Sequence, residues 1–122
     1  MTNSTALLLI LLQVKHFIFD FVFQTPYQLK NKGIYGHPGG ILHSGLHVAG
    51  TGVILVALGV TPTLIAAILV GEFLVHYHID WGKEQITRRT GVTRGAAFWR
   101  MIGLDQLLHQ FTYIAIAFAL SA

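Results

Sequence analysis

Eight side chains able to bind metals or move protons recur in pairs along this sequence: His16 and Asp20, His43 and His47, His76 and Asp80, Asp105 and His109. Every pair is spaced i, i+4, which puts both side chains on one helix face about a turn apart. Imidazole nitrogen and carboxylate oxygen together suit zinc, manganese or iron. Further polar residues lengthen the pairs into stripes. Gln13 and Gln24 flank His16 and Asp20, Thr51 continues the His43–His47 face, and Glu72 and Lys83 bracket His76 and Asp80. The chain has no cysteine, so thiolate ligands, cysteine nucleophiles and disulfides are excluded.

The elements that must carry these pairs are apolar. Of 122 residues, 53% are hydrophobic and 11% charged, about half the charged share of an ordinary soluble domain. The mean hydropathy of +0.61 agrees. Four apolar stretches, 6–23, 41–60, 62–81 and 98–119, match the roughly 20 residues that a membrane-spanning helix needs. The expected architecture is therefore all-α: a single integral-membrane domain over residues 1–122, built as a four-transmembrane-helix bundle. Gly59, Val60, Thr61 and Pro62 leave room only for a tight hairpin, with Thr61 suited to cap a helix and Pro62 to its first turn. The connections 25–40 and 82–97 are longer and polar. A cleavable signal peptide is not expected, because the first residues lack a basic group and the first apolar stretch contains Lys15, His16 and Asp20.

Lys30 and Lys32 lie in one long connection, and Lys83, Arg88, Arg89 and Arg94 in the other, with Arg100 opening the last span. The positive-inside rule then makes both long connections cytoplasmic and both termini extracytoplasmic. A nucleic-acid patch is the alternative for a chain of net charge +3. It is disfavoured because the aromatic residues lie in the spans and do not interleave with the basic ones. In this topology all four pairs fall at one depth, near the cytoplasmic face. Lys and Arg alone set the topology, so the agreement is independent.

Ionisable groups at bilayer depth are costly and usually functional. Asp20, Asp80 and Asp105 would need neutralising there, and Lys83 offsets only one of them. One or two divalent transition-metal ions, zinc foremost, with manganese or iron as alternatives, would offset the rest. The eight paired residues are the expected ligands, some acting through hydrogen bonds to others. The competing reading is a metal-free hydrogen-bonded network that pins the bundle. Glu72 lies deeper, as a ligand, a protonated donor or a proton acceptor. Lys15 either pairs with Glu72 or snorkels. His37, in a turn-rich Gly-His-Pro-Gly-Gly loop, reads as solvated. His78 reads as pointing to headgroups or a neighbouring subunit. Tyr27, Tyr35, Trp81 and Trp99 read as interfacial belt residues. Gly45, Ala49 and Gly52 form a small-residue face suited to close helix contact, in a homo-oligomer or within one chain.

The chain resembles a family of bacterial and phage membrane proteins, the domain of unknown function 3307 family. The resemblance rests on H-x3-D-F-x2-Q-T and the following N-K between His16 and Lys32, H-x3-H at His43, H-x2-I-D-x2-K ending at Lys83, and D-Q-x2-H from Asp105 to His109. The third segment holds two histidines, His76 and His78, and periodicity favours His76, which lies four residues before Asp80. The resemblance implies a multi-pass protein of the bacterial inner membrane and supplies no activity. A more distant similarity to small membrane-bound metal-dependent hydrolases is one of fold alone.

Two functions fit these residues. The first is a metal-dependent membrane hydrolase acting on a lipid-like or phosphoester substrate. Asp20, Asp105 and Glu72 would be its candidate acids and bases, and Lys32, Lys83 and Arg100 would bind substrate phosphate. A di-iron oxidase would need the same ligands. The second is a proton- or cation-coupled transporter or channel component using the His/Asp cluster as a relay. The outward halves of the second and fourth spans, almost wholly apolar, speak against a route across one chain.

Overall fold

The computed structural model describes residues 3–122, and among these it is helical with no strand. Helix α1, Asn3–Phe17, runs directly into a π-helical turn, Ile18–Val22. A short α2, Pro26–Asn31, follows, then α3, Pro38–Ala57, α4, Pro62–Thr90, and α5, Gly95–Ser121. Three helical segments are long and apolar enough to cross a membrane: Ser4–Val22, Pro38–Ala57 and Pro62–Thr90. The 27-residue α5 has the length, about 40 Å at 1.5 Å per residue. Asp105, Gln106, His109 and Gln110 dilute its apolar character.

The four long helices pack in a ring. α1 touches α3 and α5, α4 touches α3 and α5, and α2 lies on α3. Successive helices run up and down, so the first turns of α1 and the last turns of α5 lie beside the 58–61 turn. That end is an ordinary apolar core of Leu8, Leu12, Leu55, Ile68, Ile116 and Ala117, joined by Tyr113. The opposite half is inverted. Its interior is polar and its outer surface carries exposed Phe17, Phe21, Leu74, Val75, Leu104 and Leu107. Apolar groups outside and polar groups within suit a bilayer as solvent.

Local chemistry explains the boundaries, and they differ in places from the apolar stretches. Thr61 and Pro62 occupy the expected cap and first-turn positions of α4, although the Thr61 side chain makes no capping bond. The third apolar stretch ends near residue 81, but α4 continues through Lys83 to Thr90 because Glu, Gln, Lys and Arg propagate a helix well. It stops at Gly91, whose φ of 67° closes the helix in the left-handed region. The expected 82–97 connection thereby shrinks to residues 91–94, and the 25–40 connection gains α2. His37 is not a solvated loop residue. Its Nδ1 accepts the Gly39 N–H at 3.0 Å and caps α3.

The small residues of α3 also divide differently from the expected stripe. Gly45 faces open space, and Gly52 packs on Leu69 of α4. The close approach is made at Gly50, where a Cβ would lie 2.7 Å from Cγ of Lys15. Its missing side chain is the space through which Lys15 reaches the interior.

Candidate metal centre

The polar half of the bundle brings all eight paired residues together. The π-helical turn supplies Asp20, α3 supplies His43 and His47, α4 supplies His76 and Asp80, and α5 supplies Asp105 and His109. His16 joins them from the last turn of α1. Turns of the π type are uncommon and occur mostly at functional sites. Here the turn ends α1 where Asp20 meets α3.

Imidazole nitrogens converge on the carboxylates through Nε2. Asp20 Oδ1 lies 2.8 Å from His47 and 3.1 Å from His43. Asp80 Oδ2 lies 3.2 Å from His43 and 3.4 Å from His76, while Oδ1 lies 3.2 Å from His109. His109 Nε2 also lies 3.6 Å from Asp105 Oδ1. The rings of His47 and His76 have centroids 4.0 Å apart, and those of His76 and His109 4.2 Å. His43, His47, His76 and His109 are at most 1% exposed, so water does not complete their hydrogen bonds.

Proton positions separate the histidines into two kinds. His16 Nε2 lies 2.7 Å from Gln106 Oε1, an atom that can only accept, so that nitrogen carries the proton. It shares the proton with Asp20 Oδ2 at 3.2 Å, and its Nδ1 accepts from the Tyr113 hydroxyl at 2.8 Å. His16 is thus a satisfied donor that orients Asp20. His43 is the reverse. Its Nδ1 lies 3.0 Å from Gln28 Oε1 and donates to it, and its Nε2 faces two carboxylates, to which a neutral ring would turn a lone pair. His43 Nε2, His76 Nε2, Asp80 Oδ2 and Asp105 Oδ1 are all buried without a hydrogen-bond partner. Buried polar atoms are normally paired, so several orphans in one place ask for an explanation.

Two overlapping groups are close enough that they could hold a metal ion. Asp20, His43, His47 and His76 form one, and His76, Asp80 and His109 the other. In each, the ligand atoms lie within 4.8 Å of one another. His76 belongs to both. His16 and Asp105 belong to neither, although both were expected from their spacing.

Charge is more nearly balanced than the sequence implied. Lys32, expected among the substrate-binding residues, is only 4% exposed. Its Nζ donates to Gln24 Oε1 at 3.0 Å and lies 3.8 Å from Asp80 Oδ2. Lys83 lies 4.0 Å from Asp105 Oδ2 and 3.5 Å from Glu84. With Lys32 beside Asp80 and Lys83 shared between Asp105 and Glu84, the two lysines offset at most two of the three aspartates. Arg100 is exposed on the surface of α5, away from the cluster.

Lys15 pairs with Glu72 and does not snorkel. Its Nζ lies 2.7 Å from Glu72 Oε1. It also donates to Thr51 Oγ1 at 2.9 Å and the His47 carbonyl at 3.2 Å, and sits over the Tyr113 ring. Glu72 is thereby committed to a lysine at the boundary between the polar and apolar halves. Gln13 and Gln110 bond side by side nearby. His78 is exposed and held by Tyr35 and the Leu74 carbonyl. Sequence reasoning missed Gln28, Gln106 and Tyr113. Gln28 and Gln106 each lie one helical turn or less from a paired residue's contact, and neither carries a periodic signal of its own.

The family model described as "Protein of unknown function (DUF3307)" matches residues 8–122. The comparison with curated proteins gave no match, and neither did the comparison with solved structures.

Proposed function

The chain belongs to the DUF3307 family, and from that premise we propose that it is a metal-dependent hydrolase of the membrane acting on a phosphoester of a lipid-like molecule. The observation that carries this reading is the pair His76 Nε2 and Asp80 Oδ2, buried, 3.4 Å apart and without hydrogen-bond partners. Ligand atoms about 2.0–2.1 Å from a tetrahedral zinc lie roughly 3.3 Å from each other. The His–Asp separations of this cluster scatter around that edge length. The residual negative charge favours one divalent ion over two. His76, Asp80 and His109 offer three ligands and leave a fourth position free, the pattern of catalytic zinc sites. His43 and His47 with Asp20 close the other side.

When bound there, such an ion would supply a Lewis acid for a phosphoryl oxygen and a water of pKa about 7. Asp105, 3.6 Å from His109 Nε2 but outside both ligand groups, would act as the proton acceptor. Lys83 binds a phosphate oxygen. Asp20, held by His16, His43 and His47, serves the ion and not the proton transfer. Glu72, bound by Lys15, is structural in this account. The transporter reading is weaker because Leu12 and Leu55, both 0% exposed, plug the far half of the bundle.

The same account has α5 as a fourth span, both termini extracytoplasmic, the cluster near the cytoplasmic face of a bacterial inner membrane, and a homo-oligomer. The 29-residue α4, about 43 Å long, outruns a hydrocarbon core of about 30 Å. Its surplus carries Arg88 and Arg89, as a cytoplasmic end would. The test is phosphate release from a long-chain alkyl phosphate in detergent. Release that stops with a chelator and returns with zinc or manganese supports the hydrolase. Metal binding without turnover on any phosphoester would leave only a structural metal.

A further inference from the structure

Between α4 and α5 lies a groove of about 600 Å³ that opens sideways from the bundle. Its upper walls are Leu74, Val75, Ile79, Leu104 and Leu108, all apolar. Lower down, Lys83 and Asp105 face each other 4.0 Å apart, with Gly82 beside them. Asp105 is also a neighbour of His109, so the groove's polar part and the candidate metal centre share a wall. The volume falls within the roughly 300–1,000 Å³ of ordinary ligand sites. His78 also lines the groove, with Nδ1 donating to the Leu74 carbonyl and Nε2 bonded to the Tyr35 hydroxyl.

We propose that this groove seats one apolar tail of a membrane lipid bearing a phosphate, with the phosphate on Lys83 and the ester presented to Asp105 and His109. The occupant follows from position and charge. Leu74, Val75, Leu104 and Leu108 are exposed on the bundle's outside, the side that faces lipid in a membrane-spanning bundle, so the ligand would arrive laterally and be apolar over most of its length. From Leu74 to Lys83 is nine residues along α4, roughly 13 Å, long enough to fix a tail's direction. At the end of that run stands one lysine, and its ammonium is a compact cation suited to phosphate. The proposal deepens the hydrolase reading and rests on it for the chemistry at Asp105, though not for the seating of the tail.

Gly82 gives a clean way to block the groove. A Cβ there meets nothing within 4 Å, and Gly71 on the same helix is equally open but lies outside the groove. Wild type, Gly82→Trp, Gly71→Trp and Lys83→Met are reconstituted in phosphatidylcholine vesicles containing an alkyl phosphate with a diazirine in its chain. After illumination, labelled residues are mapped by mass spectrometry and bound metal is measured on the same samples. Labelling is expected at Leu74, Val75, Leu104 and Leu108. Unlabelled alkyl phosphate competes it away and the matching alkyl alcohol does not. Gly82→Trp should lower it at least tenfold, Gly71→Trp should leave it unchanged, and Lys83→Met should bring the phosphate down to the level of the alcohol. Labelling spread evenly around the bundle and indifferent to Gly82→Trp means annular lipid only and overturns the proposal. Groove labelling in a protein that holds no metal supports the tail site while sinking the hydrolase. Bound metal with no groove labelling does the opposite.

Discussion

His76 Nε2 and Asp80 Oδ2 face each other across one turn of α4 at 3.4 Å, and neither makes a hydrogen bond. An imidazole N–H placed to serve a carboxylate would normally come within about 3.2 Å and point at it. Here both atoms are aimed at a shared space. His43 and His109 approach the same carboxylate from α3 and α5 at 3.2 Å. One aspartate therefore gathers nitrogens from three helices, the convergence on which the proposed ion rests.

The two kinds of histidine should respond differently to substitution. His16 donates to Gln106 and Asp20 and orients the latter. His16→Gln should lower metal affinity about 10–100-fold, the usual effect of losing an outer hydrogen-bond partner of a metal site, with full stoichiometry at saturating metal. Competition titration against a chromophoric chelator gives both quantities. Loss of stoichiometry in His16→Gln would put His16 among the ligands.

Lys15 and Glu72 should matter to stability and not to metal. Their side chains are 4% and 1% exposed. Lys15→Met strands the Glu72 charge, and breaking a buried pair in this way costs about 3–5 kcal/mol. Adding Glu72→Met to Lys15→Met should recover most of the loss. Thermal unfolding in detergent measures both variants, and a double variant as weak as the single would mean that the pair is not what Glu72 depends on.

The glycines of α3 give opposite expectations from the same substitution. Gly50→Ala places a Cβ 2.7 Å from Lys15 Cγ and should destabilise by about 1–3 kcal/mol, the cost of overpacking. Gly45→Ala meets open space and should stabilise by roughly 0.5–1 kcal/mol through helix propensity. Unfolding midpoints of the two variants check the sign of each.

The helical architecture and the gathering of four pairs were legible because both depend on period. Apolar runs mark helices, and i, i+4 spacing marks a face, whatever the neighbours are. Three features had no such signal. Lys32 is a lone basic residue in a polar connection, and its burial beside Asp80 comes from α2 folding back on α3. There Gly39 and Gly40 let the helices meet, since a Cβ on Gly39 would lie 2.8 Å from Asn31 and one on Gly40 3.1 Å from Lys32 Cα. The roles of His16 and His43 differ through Gln106 and Gln28, contacts 90 and 15 residues distant in sequence. The extension of α4 to Thr90 was hidden because hydropathy ends where the apolar environment ends and helix propensity does not.

Metal content is the most direct test of the central claim, and His76 is the residue to change because it belongs to both candidate groups. Protein purified without chelator is analysed for zinc, manganese and iron, beside His76→Ala and the α3-cap variant His37→Ala, with unfolding followed before and after chelation. The account predicts about one divalent ion per chain in wild type and in His37→Ala, none in His76→Ala, and a wild type that loses stability when the ion is removed, as metal binding is coupled to folding. A folded wild type that takes up no divalent metal, and whose stability neither metal nor chelator changes, would contradict it and leave a hydrogen-bonded His/Asp network in its place.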